Sequence, residues 1–340
     1  MDDTPISGAV SRVHAPLLAV RIAGTATVAP GPAISTAEVA RRVTPARDAA
    51  EIAERTGIAS RYFVTAGVSA AEVGAEALRR ALAAARLRPE ALSRIVFVSS
   101  LGGDLLFPAT ANLVAAALGL AGTCDCFDLN NACLGFLTAF DIAARGIAMG
   151  QGPVAIVVVE LPSRYITPED PRPFLVFGDA ATAVVLDRGR ENEGILGSWL
   201  RNDGVAFGNV RLAHPGLTGR SETIRFTASS ERMSQEAIEA VRRSTDAVLA
   251  QAGLALDDVQ WILPHQPNGA LLAAITMELA VPPERVVPVV QEFGSVGAAS
   301  IPLSLDRLRR TRPVRCGDRL LMVGVGAGLS SGAILHQVGE

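Results

Sequence analysis

A cysteine stands where a predicted strand meets a predicted helix. The segment 126–129 is typical of a strand, and an apolar helix is predicted over 133–149, so Cys133 lies at the join. The dipole and the unpaired N–H groups at a helix N-terminus favour a thiolate, which is the nucleophilic form of a cysteine. Most free cysteines are small buried apolar residues, so Cys133 alone also fits a structural role. We expect a nucleophilic thiolate here.

A histidine follows a second predicted strand, at 259–263. If the two parts of the chain pack face to face, the ends of these strands converge and His265 comes close to Cys133. An imidazole beside a thiol can accept a proton or stabilise an oxyanion. A lone histidine is more often structural, so this interpretation depends on the packing.

Two loops rich in small residues complete the candidate site. The first, 294–302, contains Ser295, which could donate a hydrogen bond into a site or cap a helix N-terminus. The second, 324–332, is a glycine-rich turn after a predicted strand. It lacks the spacing of a nucleotide-binding loop. Backbone N–H groups presented to an oxyanion are the better interpretation of this turn.

The elements that must position these residues occur twice along the chain. Each unit reads strand–helix–strand–helix–strand, which predicts mostly parallel sheets covered by helices. The strands are predicted at 94–98, 126–129, 154–159, 259–263, 286–289 and 320–325, and the helices at 108–118, 133–149, 268–280 and 296–308. We expect a duplicated α/β fold with halves at 1–190 and 191–340. A strand pair, 182–186 with 195–200, is predicted near their boundary.

Composition excludes several other classes of protein. The 340 residues carry a net charge of −3 and are 49% hydrophobic and 19% charged, which is typical of a folded globular chain. No basic block interleaves with aromatic residues, so we expect no nucleic-acid partner. The start, 1–16, does not resemble a signal peptide, and no apolar run is long enough to span a membrane. We expect a soluble, cytoplasmic protein without a metal site or disulfides.

Seven segments, taken in order, resemble the ketoacyl synthase III type of condensing enzyme in the thiolase superfamily. The segments are Arg55-Thr56-Gly57-Ile58, Phe107-Pro108-Ala109-Thr110-Ala111, the loop around Cys133, Phe177-Gly178-Asp179-Ala180-Ala181, His265-Gln266-Pro267-Asn268, 294–302 and 324–332. The resemblance implies a five-layer αβαβα thiolase-like fold and a homodimer. It also implies an acyl group taken from a coenzyme A (CoA) or acyl carrier protein (ACP) thioester, with no permanently bound cofactor.

The resemblance assigns a role to each matching residue. Cys133 matches the acylated nucleophile, and His265 matches the histidine that stabilises charge on the second thioester. The backbone N–H groups of Cys133 and Ala327 match the oxyanion hole for the acyl carbonyl. The implied substrate-binding residues are Phe107, which would reach across the dimer into the neighbour's acyl pocket, Arg55 and Asn268.

One departure from the family's pattern bears on the reaction. Ser295 stands where these enzymes usually have an Asn that, with the His, holds the enolate formed by decarboxylation of malonyl thioester. We therefore expect an acyltransferase that passes the acyl group from Cys133 to an alcohol or amine of a small-molecule acceptor in secondary metabolism. Two alternatives stay open: a carbon–carbon-forming synthase that primes polyketide or fatty-acid synthesis, and a catalytically silent partner subunit that binds ACP.

Overall fold

The computed structural model describes residues 17–339. The strands are β1 (Val20–Val28), β2 (Ala33–Ser35), β3 (Ser60–Tyr62), β4 (Arg94–Val98), β5 (Asp125–Leu129), β6 (Val154–Glu160), β7 (Ala180–Arg188), β8 (Gly194–Asn202), β9 (Val210–Arg211), β10 (Arg225–Phe226), β11 (Trp261–Pro264), β12 (Arg319–Gly326) and β13 (Ser330–Gln337). The helices are α1 (Thr36–Arg42), α2 (Ala49–Thr56), α3 (Ala70–Ala85), α4 (Thr110–Ala117), α5 (Gly135–Ala148), α6 (Pro171–Phe174), α7 (Pro215–Thr218), α8 (Ser230–Ala252), α9 (Gly269–Glu278), α10 (Val290–Phe293) and α11 (Ser300–Thr311).

Two larger sheets carry the architecture. The first has the strand order β1-β7-β6-β4-β5, and the second has the order β11-β12-β13-β8. Parallel pairing joins β4 to β5 and β6, and β11 to β12, while the remaining neighbours are antiparallel. The sheets are therefore mixed, and the prediction of mostly parallel sheets is wrong. Their strands come from 20–188 and 194–337, but the division into halves at 190 stays a prediction.

Helices alternate with these sheets in five layers. Helices α3 and α4 cover the outer face of the first sheet, and α8 packs against β8, β12 and β13 with α9 beside it. Helix α5 contacts strands of both sheets, and so does α11, so the two helices form the central layer. The largest apolar cluster, which includes Phe136, Phe140 and Leu305, lies in this central region. The predicted αβαβα thiolase-like fold is confirmed.

Local signals in the sequence fix some element ends closely. Helix α3 has Ser69 as its N-cap. The Ser69 hydroxyl accepts a hydrogen bond from the backbone N–H of Glu72, whose carboxylate accepts one from the N–H of Ser69. This capping box satisfies two N–H groups that the helix itself leaves unpaired.

Two predicted features of the sheets differ in the structure. The segments 182–186 and 195–200 are strands, but they lie in β7 and β8 of different sheets and do not pair with each other. The apolar segment 286–289 forms no strand and has only an isolated bridge between Val286 and Ile262. A side chain from a neighbouring loop satisfies its backbone instead, as described below.

Candidate active site

Cys133 lies in a tight elbow between β5 and α5. Ala132, directly before it, has a φ of +46°, a conformation that side chains other than glycine seldom adopt and that recurs at functional sites. Asn131 ties the elbow to its surroundings. Its Nδ2 donates to Oγ1 of Thr138 at 2.8 Å, and its Oδ1 accepts from Oγ of Ser330 at 2.9 Å. The elbow is thus held by both α5 and β13.

The surroundings of the Cys133 thiol oppose its ionisation. Burial raises its pKa to about 12, and the charge of Glu160 raises it further, while backbone N–H groups of Ala327 and Cys133 itself act in the opposite direction. The expected thiolate stays a prediction, and this environment is unfavourable to it. The loss of water around the sulfur outweighs the favourable field of the helix N-terminus.

The turn between β12 and β13 lies directly against this thiol. Gly326 ends β12, and a Cβ on it would lie 3.0 Å from the backbone nitrogen of Cys133, closer than most Cβ contacts in proteins. Ala327 follows in the turn, and its N–H group lowers the pKa of the Cys133 thiol, as does the N–H group of Cys133 itself. The two backbone N–H groups expected to form an oxyanion hole therefore both act on the site of the sulfur.

His265 follows β11 and is buried, with 4% of its surface exposed. Its backbone N–H donates to the carbonyl of Val323 in β12 at 2.8 Å. Burial lowers the pKa of the imidazole to about 4, so the ring is neutral at physiological pH. Among residues 17–339 no hydrogen-bond partner reaches its Nδ1. His214 shows how such an atom can be satisfied: the backbone N–H of Gly216, two residues later, donates to its Nδ1 at 3.0 Å. The residue two positions after His265 is Pro267, which has no N–H to donate.

Ser295 is held by its backbone against the segment before β7. Its N–H donates to the carbonyl of Val176 at 2.8 Å, and its carbonyl accepts from the N–H of Gly178 at 3.0 Å. Helix α11 begins at Ser300, with Ala299 as its N-cap residue, so Ser295 does not cap that helix. The other predicted role, a hydroxyl that donates into a site, stays a prediction.

One cavity of about 220 Å³ brings these residues together. The predicted site residues among its lining are Cys133, His265, Ser295, Asn268 and Ala327. Most of the remaining wall is apolar and includes Phe177, Phe226, Met233, Leu271 and Val325. A thiol, a neutral imidazole, a hydroxyl and a pair of backbone N–H groups in an apolar cavity suit thioester chemistry, since charge forming on a carbonyl oxygen meets preset donors.

Comparisons with known proteins agree with this arrangement. The family models for 3-oxoacyl-[acyl-carrier-protein (ACP)] synthase III and for its C-terminal part match residues 127–204 and 249–338. The beta-ketoacyl-[acyl-carrier-protein] synthase III of Methylococcus capsulatus is 36% identical over 320 residues, which is 93% of this chain and 98% of the relative. The chain belongs to the ketoacyl-ACP synthase III family. It is accordingly an enzyme of the acyl-thioester-dependent transferase type.

Solved structures extend the likeness of this ketoacyl-ACP synthase III family member to the whole fold. The 3-oxoacyl-(acyl carrier protein) synthase III of Pseudomonas aeruginosa superposes with a TM-score of 0.87 at 31% identity, covering 95% of this chain and 99% of that one. OleA of Xanthomonas campestris has a TM-score of 0.84 at 23% identity, covering 95% and 99%. At that identity the likeness to OleA is one of fold alone.

Two residues predicted for substrate binding lie outside the cavity of this family member. Phe107 precedes α4 and is 87% exposed. Arg55, near the end of α2, points its exposed side chain to Glu51, with 3.1 Å between Nη1 and Oε1. Neither residue lines the cavity. The role of Phe107 across a dimer and that of Arg55 in donor binding both stay predictions.

A buried amide next to the histidine was missed by the sequence analysis. Oε1 of Gln266 accepts from the N–H groups of Val289 and Val290 at 2.9 and 3.1 Å, and its Nε2 donates to the carbonyl of Val287 at 2.8 Å. These bonds fix the loop that carries His265. The only signal in the sequence was the polar Gln266 between a strand end and a proline, within an apolar region.

Proposed function

We propose that this enzyme forms a carbon–carbon bond by condensing an acyl group held on Cys133 with a malonyl thioester. The observation that supports this choice is the neutral, buried imidazole of His265, which lines the same cavity as Cys133 and Ser295. A ring with so low a pKa is a poor general base but a good hydrogen-bond donor. Enolate formation needs a donor of this kind.

In the first half-reaction, the sulfur of Cys133 attacks the carbonyl of an acyl-CoA or acyl-ACP thioester. The N–H groups of Cys133 and Ala327 stabilise the oxyanion, and the carrier thiol leaves with the proton that Cys133 gives up. A thiol replaces a thiol, so protons balance without a further base. The high pKa of the Cys133 thiol implies that this proton moves only once the donor is bound.

In the second half-reaction, malonyl thioester loses carbon dioxide. His265 Nε2–H and the Ser295 hydroxyl together donate to the thioester oxygen as it becomes an enolate oxygen. The new carbanion attacks the acyl carbonyl, the β-ketoacyl thioester forms, and one proton returns the cysteine to its thiol. A hydroxyl supplies a single donor, and Ser295 lines the same cavity as His265.

Transfer of the acyl group to an alcohol or amine is the second candidate. It is favoured by Ser295 itself, because the resemblance implies an Asn at this position for enolate stabilisation. In that reaction no carbon dioxide is released, and the acceptor oxygen or nitrogen displaces the sulfur of Cys133 directly. His265 would then have to accept a proton, which its low pKa disfavours.

The partners belong to the same proposal. We propose a homodimer in the cytoplasm, acting on CoA or ACP thioesters without a resident cofactor. Strand β5 supports the dimer, since it is one of the two edge strands of the first sheet, and exposed edges are usually covered. None of the helices within residues 17–339 is long and apolar enough to cross a membrane.

Intact-protein mass spectrometry tests the proposal in two steps. The enzyme is first mixed with a panel of acyl-CoA and acyl-ACP thioesters, and the acyl adduct is then chased with malonyl thioester or with alcohols and amines. Loss of the adduct only with malonyl thioester, together with carbon dioxide, is the expected result. Loss to an alcohol or amine without gas would establish the second candidate.

Two variants anchor this experiment. Cys133→Ala should show no adduct, whereas Cys316→Ala, which removes an exposed thiol, should be acylated like the wild type. An adduct that survives in Cys133→Ala would mean that another residue is the nucleophile. A wild type that takes no acyl group from any donor would instead indicate a silent partner subunit.

A further inference from the structure

A buried carboxyl group lies close to the nucleophile and has no role in the chemistry proposed above. Glu160 ends β6, a strand whose seven residues are all buried, and 1% of its surface is exposed. Its Oε1 accepts three hydrogen bonds: from the N–H and the hydroxyl of Ser100, at 3.0 and 2.6 Å, and from the N–H of Ala298, at 3.2 Å. All three donors are neutral groups.

These hydrogen bonds join two loops that border the active site. Ser100 lies in the loop after β4, and Ala298 lies three residues after Ser295. Gly297, between Ser295 and Ala298, has a φ of +50°, and a Cβ on it would lie 3.1 Å from the carboxyl carbon of Glu160. The segment that carries Ser295 therefore rests directly on the Glu160 carboxyl group.

The carboxyl also acts on the nucleophile through its charge. Glu160 is the one charged group that raises the pKa of the Cys133 thiol, after burial itself. The ionisable groups that face Glu160 are Cys133, from the elbow before α5, and Asp179, before β7, which disfavours its ionisation. Burial raises the pKa of Glu160 to about 7, against the hydrogen bonds from Ser100 and Ala298.

We propose that Glu160 is a positioning residue that guards the nucleophile: it holds the Ser295 segment in place, and its negative charge adds to burial in disfavouring the thiolate form of Cys133. A thiol reacts far more slowly than a thiolate with oxidants and electrophiles. A protonated Cys133 is therefore protected from these reagents while no acyl group is bound to it. This protection serves either acceptor reaction and does not depend on which one is correct.

Alkylation of Cys133 by iodoacetamide measures the charge effect. Glu160→Gln keeps the shape and the acceptor oxygen but removes the charge, so the alkylation profile should move to lower pH. One pH unit corresponds to about a tenfold faster reaction below the midpoint, and we expect at least about a threefold acceleration at pH 8. Peptide mass spectrometry separates Cys133 from the other three cysteines.

Glu193→Gln is the matched control. Glu193 is also a buried carboxyl group, but it lines a different cavity, beside Arg309 and His336. The same substitution there should leave the alkylation profile of Cys133 unchanged. Equal acceleration in both variants would point to a general loosening of the fold and would overturn the proposal, as would a Glu160→Gln profile that matches the wild type.

Glu160→Ala separates the two parts of the proposal. It removes the charge and also the acceptor of the Ala298 N–H, so Cys133 should be alkylated faster and hydrogen exchange at Ala298 should accelerate. Glu160→Gln should accelerate alkylation but leave exchange at Ala298 near the wild-type rate. Equal exchange rates in the two variants would contradict the positioning role. If Glu160→Ala does not fold, Glu160→Asp replaces it: the shorter side chain keeps the charge but withdraws the carboxylate from the N–H of Ala298, so exchange there should accelerate while alkylation of Cys133 does not.

Discussion

Gly326 and Cys133 approach each other so closely that a methyl group on Gly326 would force the backbone to shift. A Cβ on Gly326 would lie 3.0 Å from the backbone nitrogen of Cys133 and 3.1 Å from that of Leu134. Both obstacles are backbone atoms at the start of a buried helix, and neither can turn away as a long side chain could. The nucleophile and the turn that carries Ala327 are therefore positioned by one contact.

Gly326→Ala should slow acylation of Cys133. The added methyl group must push the turn away from the elbow, which separates the two backbone N–H groups expected to form the oxyanion hole. Loss of one such donor typically costs about 10²–10³ in rate, and a displaced donor should cost at least about tenfold. Acylation is followed by mass spectrometry over time. Gly208→Ala, where a Cβ meets nothing within 4 Å, is the control, and equal rates in both variants would contradict the contact.

Ser295 should matter for the second half-reaction and not for the first. Ser295→Ala removes a donor to the enolate, so carbon dioxide release from malonyl thioester should fall by about 10²-fold, while acylation of Cys133 stays unchanged. Ser295→Asn should raise the release. Ser234→Ala removes another hydroxyl from the wall of the same cavity and should have little effect. If Ser295→Ala releases carbon dioxide at the wild-type rate, the hydroxyl has no part in decarboxylation.

Gln266→Leu should destabilise the fold. It leaves the N–H groups of Val289 and Val290 and the carbonyl of Val287 buried without their partner. Each such group costs about 1–3 kcal/mol, so the free energy of unfolding should fall by at least about 3 kcal/mol in urea titrations. The exposed Gln235 offers a control, since Gln235→Leu should change it by less than about 0.5 kcal/mol. Similar stabilities in the two variants would mean that the loop finds other partners.

The buried ring of His336 should lower the free energy of unfolding as the pH falls. Burial lowers its pKa from 6.5 to about 4, against a hydrogen bond to the carbonyl of Val20. Between pH 7 and pH 5 the unfolded chain therefore binds a proton at this residue and the folded chain does not. This stability is present above pH 6.5 and is lost as the pH falls toward 4.

Urea unfolding of His336→Gln at pH 7 and pH 5 measures this contribution. The wild type should lose about 2 kcal/mol more than the variant between the two pH values. The buried carboxyl groups of Glu160 and Asp179, whose pKa values burial raises to about 7 and about 6, act in the opposite direction but are common to both proteins. His214→Gln, at an exposed position, is the control, and its free energy of unfolding should fall between pH 7 and pH 5 by as much as that of the wild type. If His336→Gln also matched the wild type, the expectation would be wrong.

The candidate site could be predicted largely because its residues follow strands. Cys133 comes after β5, His265 after β11 and Ala327 after β12, and the structure places all three around one cavity. The predicted substrate-binding residues outside the cavity do not follow strands in this way. Arg55 and Phe107 were selected by resemblance alone, and nothing in their spacing indicates which wall they would form.

The strand predicted at 286–289 shows where the sequence misleads. Its run of Val residues is typical of a strand, but a strand needs a neighbour for its N–H and C=O groups. The side chain of Gln266 takes the place of that neighbour, and α10 starts at Val290. The effect of burial on the pKa of Cys133 was not visible in the sequence either. A helix N-terminus can be read from the sequence, but the depth of burial cannot.

Because Pro267 has no N–H, no backbone donor fixes the position of the proton on the His265 ring. With no N–H to hold the lone pair of Nδ1, the protein does not fix which of the two neutral tautomers is present. The molecule bound at Nε2 makes that choice: a carbonyl oxygen draws the proton to Nε2, and an incoming O–H or N–H group finds a lone pair there. The ring can thus orient either kind of second substrate by hydrogen bonding. Its low pKa makes it a poor acceptor of a whole proton, so it favours the reaction in which it has none to accept.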